Sequence, residues 1–148
     1  MRIEVALIGL LAGVLLAASP AAAQERVVGA VKSVQGSAVV QRAGVSIPAR
    51  EGLPVAETDV LLTGSDGRLA VILKDDTRLS LGPGSEVRVA RFLYEPAQGN
   101  LSLVIRMTRG VVAYVSGRIA KLAPDSVRFE TPVAAVGIRG TRFAARVD

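Results

Sequence analysis

The stretch Thr131-Pro132-Val133-Ala134-Ala135-Val136-Gly137-Ile138-Arg139-Gly140-Thr141-Arg142-Phe143 holds the least interchangeable residues of this sequence. Gly137 and Gly140 bracket an Ile-Arg pair, and glycine serves where backbone takes positive φ or packs closely against another segment. Pro132 fixes its own φ and holds Thr131 extended. Arg139 and Arg142 supply guanidinium groups, which grip carboxylates and phosphates through paired hydrogen bonds. The chemistry on offer is recognition of an anion or of a protein surface. A phosphate-cradling loop needs a helix after its glycines. Here Phe143, Ala145 and Val147 alternate with Arg142 and Arg146 as in a strand. The competing reading makes the glycines and Pro132 a backbone signature, with the arginines tying the turn to carbonyl groups.

Covalent and acid-base chemistry finds little to work with. The sequence contains no histidine and no cysteine, which removes the Ser/His/Asp and Cys/His constellations and the usual zinc sites. Asp75 and Asp76 are adjacent, so in extended backbone they point to opposite faces and cannot act as a pair. Asp59 and Asp66 flank a strand and a turn, where their natural work is capping backbone groups. Gly64-Ser65-Asp66-Gly67 supplies too few oxygen ligands for a calcium loop. No catalytic residue, cofactor or metal ligand is predicted.

The elements that must position the closing stretch are strands. Half of the residues are hydrophobic but only 3% are aromatic, so the core must be built from Val, Leu, Ile and Ala. Apolar residues alternate with polar ones at Leu101, Leu103, Ile105 and Met107, at Leu69, Val71 and Leu73, and at Leu79 and Leu81. The same reading puts Val111, Ala113 and Val115 on one face. Turn signals at Gly36-Ser37, Gly64 to Gly67, Asp75-Asp76, Gly82 to Ser85, Pro96 to Asn100 and Arg109-Gly110 cut these runs short. Such spacing predicts an all-β fold, a compact β-roll or short β-solenoid-like domain of ten to twelve short strands, with a two-sheet sandwich as the alternative. Pro48, Gly52 and Pro54 mark an exposed crossing loop. Leu62 to Gly67 is echoed by Leu81 to Glu86, with Gly84 following Gly64 by 20 residues, as solenoid rungs or as two successive hairpins.

Residues 1–23 read as a secretory signal peptide. Arg2 precedes an uncharged helical run from Val5 to Ala18, and Ser19-Pro20-Ala21-Ala22-Ala23 supplies a helix breaker and a cleavage site before Gln24. The all-β domain then occupies residues 24–148, and the expected location is the periplasm or the exterior. Membrane association is expected only if the apolar segment is retained as an anchor. Arg2 and Glu4 cancel, so the exported part keeps the net charge of +5. Among its cations only Lys32, Lys74 and Lys121 are lysines. The arginines suit anionic glycans, lipid head groups or an acidic protein face, or else solvated strand faces, since they are spread along the chain. Nucleic acid is not an expected partner of an exported chain.

The run from Phe129 through Thr131, Pro132, Gly137, Ile138, Arg139, Gly140, Thr141 and Arg142 to Phe143 resembles the close of the FecR domain, a phenylalanine, Thr-Pro, a small apolar run and Gly-Ile-Arg-Gly-Thr-x-Phe. Val28 to Gly36 is similar to that domain's opening strand and turn, Asp59 to Gly64 to its central segment, and Leu79 to Ser85 to the strand and turn that follow. The resemblance implies an all-β domain of the cell envelope that binds a protein partner, and in the best-known members relays a transporter's signal to a cytoplasmic anti-sigma segment. An apolar segment beginning at Val5 leaves no room for such a segment, so the resemblance is to the stand-alone exported form, in signalling or scaffolding. Two positions depart from the pattern. Glu57-Thr58 stands where a glycine would precede Asp59, and Asp76-Thr77 where Gly-Ser would follow Asp75, which predicts turns of different type. The chain reaches Asp148 where the family usually continues with further strands, so its last edge is expected to be trimmed or completed by a partner.

Overall fold

A computed structural model of the chain describes residues 25–137 and 142–148. The predicted signal peptide and its cleavage point lie outside the described residues, as do Ile138, Arg139, Gly140 and Thr141 of the closing motif. The strands are β1 (Val27–Gln35), β2 (Ala38–Arg42), β3 (Val45–Pro48), β4 (Pro54–Ala56), β5 (Val60–Thr63), β6 (Arg68–Leu73), β7 (Arg78–Leu81), β8 (Glu86–Glu95), β9 (Asn100–Val115), β10 (Val127–Glu130), β11 (Ala135–Gly137) and β12 (Arg142–Val147). One short helix, α1 (Arg118–Leu122), follows β9.

All twelve strands join in one curled sheet, ordered β3-β2-β5-β8-β9-β7-β6-β1-β4, with β10 and β12 also paired to β9 and β11 to β10. Every pairing is antiparallel except β9 with β10. The sheet is folded once. Its β8 half contains β3, β2, β5, β8, the first part of β9, β10 and β11, and its β6 half contains β4, β1, β6, β7, the second part of β9 and β12.

The fold is the predicted roll, and bent arches make it. β1 turns into β2, β5 into β6, β7 into β8, and β9 bends within itself, each passing from one half to the other. The bends stack along a crease. Gly64 N–H donates to the Ser37 carbonyl at 2.9 Å and Gly84 N–H to the Gly64 carbonyl at 3.0 Å. The 20-residue echo is therefore a pair of neighbouring bends in contact. Buried Thr63 and Ser85 staple the same crease: Thr63 Oγ1 donates to Gly82 O at 2.7 Å and accepts from Ser85 N–H at 2.8 Å, while Ser85 Oγ accepts from Val111 N–H at 2.9 Å. Gly110, at φ 96°, passes so close to Ser85 that a side chain there would collide with it.

Between the halves lies an aliphatic core. Val31, Val71, Leu79 and Tyr114 face Val40, Leu61, Val87 and Met107, all at most 2% exposed. Each buried side chain of this size contributes roughly 1.5–3 kcal/mol by leaving water. The alternation holds in β6, β7 and the first part of β9. It fails at Val111, Ala113 and Val115, which face outward while Val112 and Tyr114 are buried. The reason is a bulge at the crease, where the register shifts between Val87↔Met107 and Glu86↔Arg109. One extra residue moves every later side chain to the other face.

The crossing loop is shorter than its prolines suggest. Pro48 closes β3 and Pro54 opens β4, both on edge strands where a missing N–H is harmless. Leu53 between them is buried.

Candidate interaction surface

The carboxylates singled out for capping are committed to the fold. Asp75 is fully buried at the β6–β7 turn, where its carboxylate accepts from Thr77 N–H at 3.1 Å, Thr77 Oγ1 at 2.8 Å and Ile119 N–H at 3.2 Å. It caps the turn and pins the start of α1 at once. Asp76 points outward and lies 3.3 Å from Arg118. Asp66 accepts from Ser37 Oγ at 2.7 Å, and that bond holds its carboxyl below the ordinary value.

Asp59 is 2% exposed and accepts from Ala56 N–H at 2.8 Å, as capping predicts. Sequence reasoning missed its main partner. Arg42, at the end of β2, donates to Asp59 Oδ1 through Nε at 3.0 Å and to Oδ2 through Nη2 at 2.7 Å. It also reaches Glu25 at 3.0 Å and the Pro54 carbonyl at 3.0 Å. The hydrogen bond to Asp59 raises the Arg42 pKa further. Among the described residues, no group of acidic side chains is placed to hold a metal ion.

Both departures from the FecR pattern adopt the backbone that glycine would take. Thr58 has φ 72° and Asp76 φ 70°. Hydrogen bonds hold this left-handed conformation: Thr58 N–H donates to Val89 O at 2.9 Å and Asp76 N–H to Leu73 O at 3.0 Å.

Of the closing motif, Thr131 and Pro132 begin the turn between β10 and β11. Thr131 N–H donates to Ala134 O at 2.7 Å and Thr131 Oγ1 accepts from Ala134 N–H at 3.1 Å. Gly137 ends β11 opposite Arg128. Phe143 is half-buried and structural: its ring centroid lies 5.0 Å from Tyr114 and 5.1 Å from Phe129, the latter edge to face. Burial pushes the Tyr114 phenol above its ordinary value. Arg142 is exposed on the outer side of β12.

β12 pairs with β9 along one side, from Arg142↔Val115 to Val147↔Gly110, and with nothing else among the described residues. The aromatic contacts fix it from beneath. Its outer side chains continue the outer face of the β6 half. There Ser33, Ala70, Ser80, Ala113 and Ala144 form one cross-strand row. Arg78 and Arg142 stand in the row on one side, Arg68 and Arg146 in the row on the other.

The fold and these surfaces define an all-β rolled-sheet domain whose ionisable groups lie in turns and on open sheet faces. The chain belongs to the FecR protein family, a family of signalling and regulatory domains: the family model matches residues 59–148. The match takes in the central and closing segments, while Val28 to Gly36 lies outside it. No curated protein and no solved structure matches the chain.

Proposed function

We propose that this FecR domain is exported to the cell envelope and works there as a non-catalytic protein-interaction module in signalling or scaffolding. The observation that carries the reading is β12, a strand fixed by Phe143 against Tyr114 and Phe129 with one edge unpaired among the described residues. Such an edge presents a row of backbone donors and acceptors to a partner strand, and a rigid one loses little entropy on pairing. The signal peptide expected at residues 1–23 and the signalling character of the family support the same reading.

The test is a pull-down from envelope extract with the chain from Gln24 onward, followed by hydrogen exchange on the recovered complex. A specific protein should be retained, and the amides of Arg142 to Val147 should exchange more slowly with it bound. A complex that leaves those amides unchanged, or no specific protein at all, would sink the reading. An anion-binding module for envelope glycan or lipopolysaccharide is the alternative, favoured by the exposed arginines of the β6 half.

A further inference from the structure

The six strand segments of the β6 half, β1, β4, β6, β7, Gly110–Val115 and β12, contain no aspartate or glutamate, yet carry Lys32, Arg68, Arg78, Arg142 and Arg146, all exposed. None of the four arginines has an ion-pair partner among the described residues. The β8 half differs, with Glu86, Glu95 and Glu130 set among its arginines. Charge on the strands of the β6 half is one-sided, and no acidic residue of those strands compensates it.

Its geometry is that of a shallow trough. Successive strands are about 4.8 Å apart, so the row from Ser33 to Ala144 spans roughly 19 Å. The flanking rows stand about 7 Å away on either side, two residues along each strand. Ile72, Val115 and Val111 lie in those same rows beside the arginines and give the rims an apolar component. The bulge between Met107 and Arg109 is what turns Val111 and Val115 outward.

We propose that this face docks an acidic, extended segment of the partner protein, laid across the strands with carboxylates reaching both arginine rows. The proposal rests on the protein-interaction reading above and names the surface and the partner's chemistry. Guanidinium forks match carboxylates in paired geometry. The small floor admits a peptide backbone, and the apolar rims suit a chain that mixes acidic with aliphatic side chains. No outward side chain of these strands is aromatic, so a sugar ring finds nothing to stack on; Tyr114 and Phe143 both turn inward.

Fluorescence anisotropy with labelled hexaglutamate tests this on the chain from Gln24 onward. Hexaglutamate should bind and hexalysine should not, and binding should weaken steeply with salt. Arg78→Glu/Arg142→Glu should weaken it by about tenfold or more, whereas Arg88→Glu/Arg91→Glu on the β8 half, with the same change in net charge, should cost less than about threefold. Should the first pair compromise folding, Arg78→Ala/Arg142→Ala serves in its place. Equal losses from both pairs would reduce the effect to bulk charge and overturn the proposal. So would failure of hexaglutamate to bind, or tighter binding of an oligogalacturonate, which would make the face a glycan site. A partner still captured through β12 in that event leaves the protein-interaction reading standing.

Discussion

Arg42, on the β8 half, spends its guanidinium on Asp59, Glu25 and the Pro54 carbonyl, whereas Arg78, on the β6 half, stands exposed with no carboxylate in reach among the described residues. The first kind of arginine is structural, since it neutralises a carboxylate that the fold has taken out of water. The second contributes nothing to the fold that a neutral side chain could not, which frees it for recognition. The sharpest way to break this contrast is to truncate both. Arg42→Ala leaves Asp59 buried without its countercharge and should lower the unfolding free energy by about 3 kcal/mol. Arg78→Ala should stay within about 0.5 kcal/mol of the parent. Urea denaturation at neutral pH measures both, and comparable losses would erase the distinction.

The difference between the two arginines could not be read along the chain. Both sit at strand ends in similar polar company, and what separates them is Asp59, 17 residues from Arg42 and brought to it only when β5 pairs with β2. Local pattern served where one face of a strand is apolar and the other polar, as in β6 and β7. It failed in the second part of β9, Val-Val-Ala-Tyr-Val, where both faces are apolar and the parity is set by the bulge between Met107 and Arg109. The echo of Gly64 at Gly84 was visible, but its meaning as two stacked bends depends on the crease, a long-range feature. Phe143 was legible as a fixed point of the motif. Its role is set by Tyr114 and Phe129, which no spacing in the sequence connects to it.

A second comparison between the halves concerns strain. Thr58 leads into β5 of the β8 half and Asp76 into β7 of the β6 half, both left-handed where glycine would be relaxed. A β-branched residue fits that region worse than aspartate, whose short polar side chain tolerates it. Thr58→Gly should therefore raise stability by about 1 kcal/mol, the relief of strain outweighing the extra freedom of glycine in the unfolded chain. Asp76→Gly should gain less, because it also gives up the contact with Arg118. Thermal melts of the two variants decide the order, and a larger gain at Asp76 would contradict it.

The smallest expected effect lies on the outer face of the β8 half, where Glu130 meets Arg106 at 2.7 Å and Arg128 at 3.8 Å. The hydrogen bond from Arg106 holds the Glu130 carboxyl below its ordinary value. A carboxyl depressed in the folded state binds fewer protons there than in the unfolded chain. Its contribution is therefore present above the ordinary carboxylate range and fades as pH falls through the folded value. The pair is exposed, so solvent screening keeps the contribution small. Glu130→Gln should flatten the acid side of the stability profile slightly and leave neutral stability nearly unchanged. Among the described residues no carboxylate stands on the strands of the opposite half or pairs with Arg142, so Arg142→Gln should leave the acid limb as it is. Urea midpoints taken from neutral pH down to the carboxylate range separate the two variants. An acid limb that moves with Arg142 would mean that the β6 half has a carboxylate partner after all, and that its arginines are less free than their surroundings indicate.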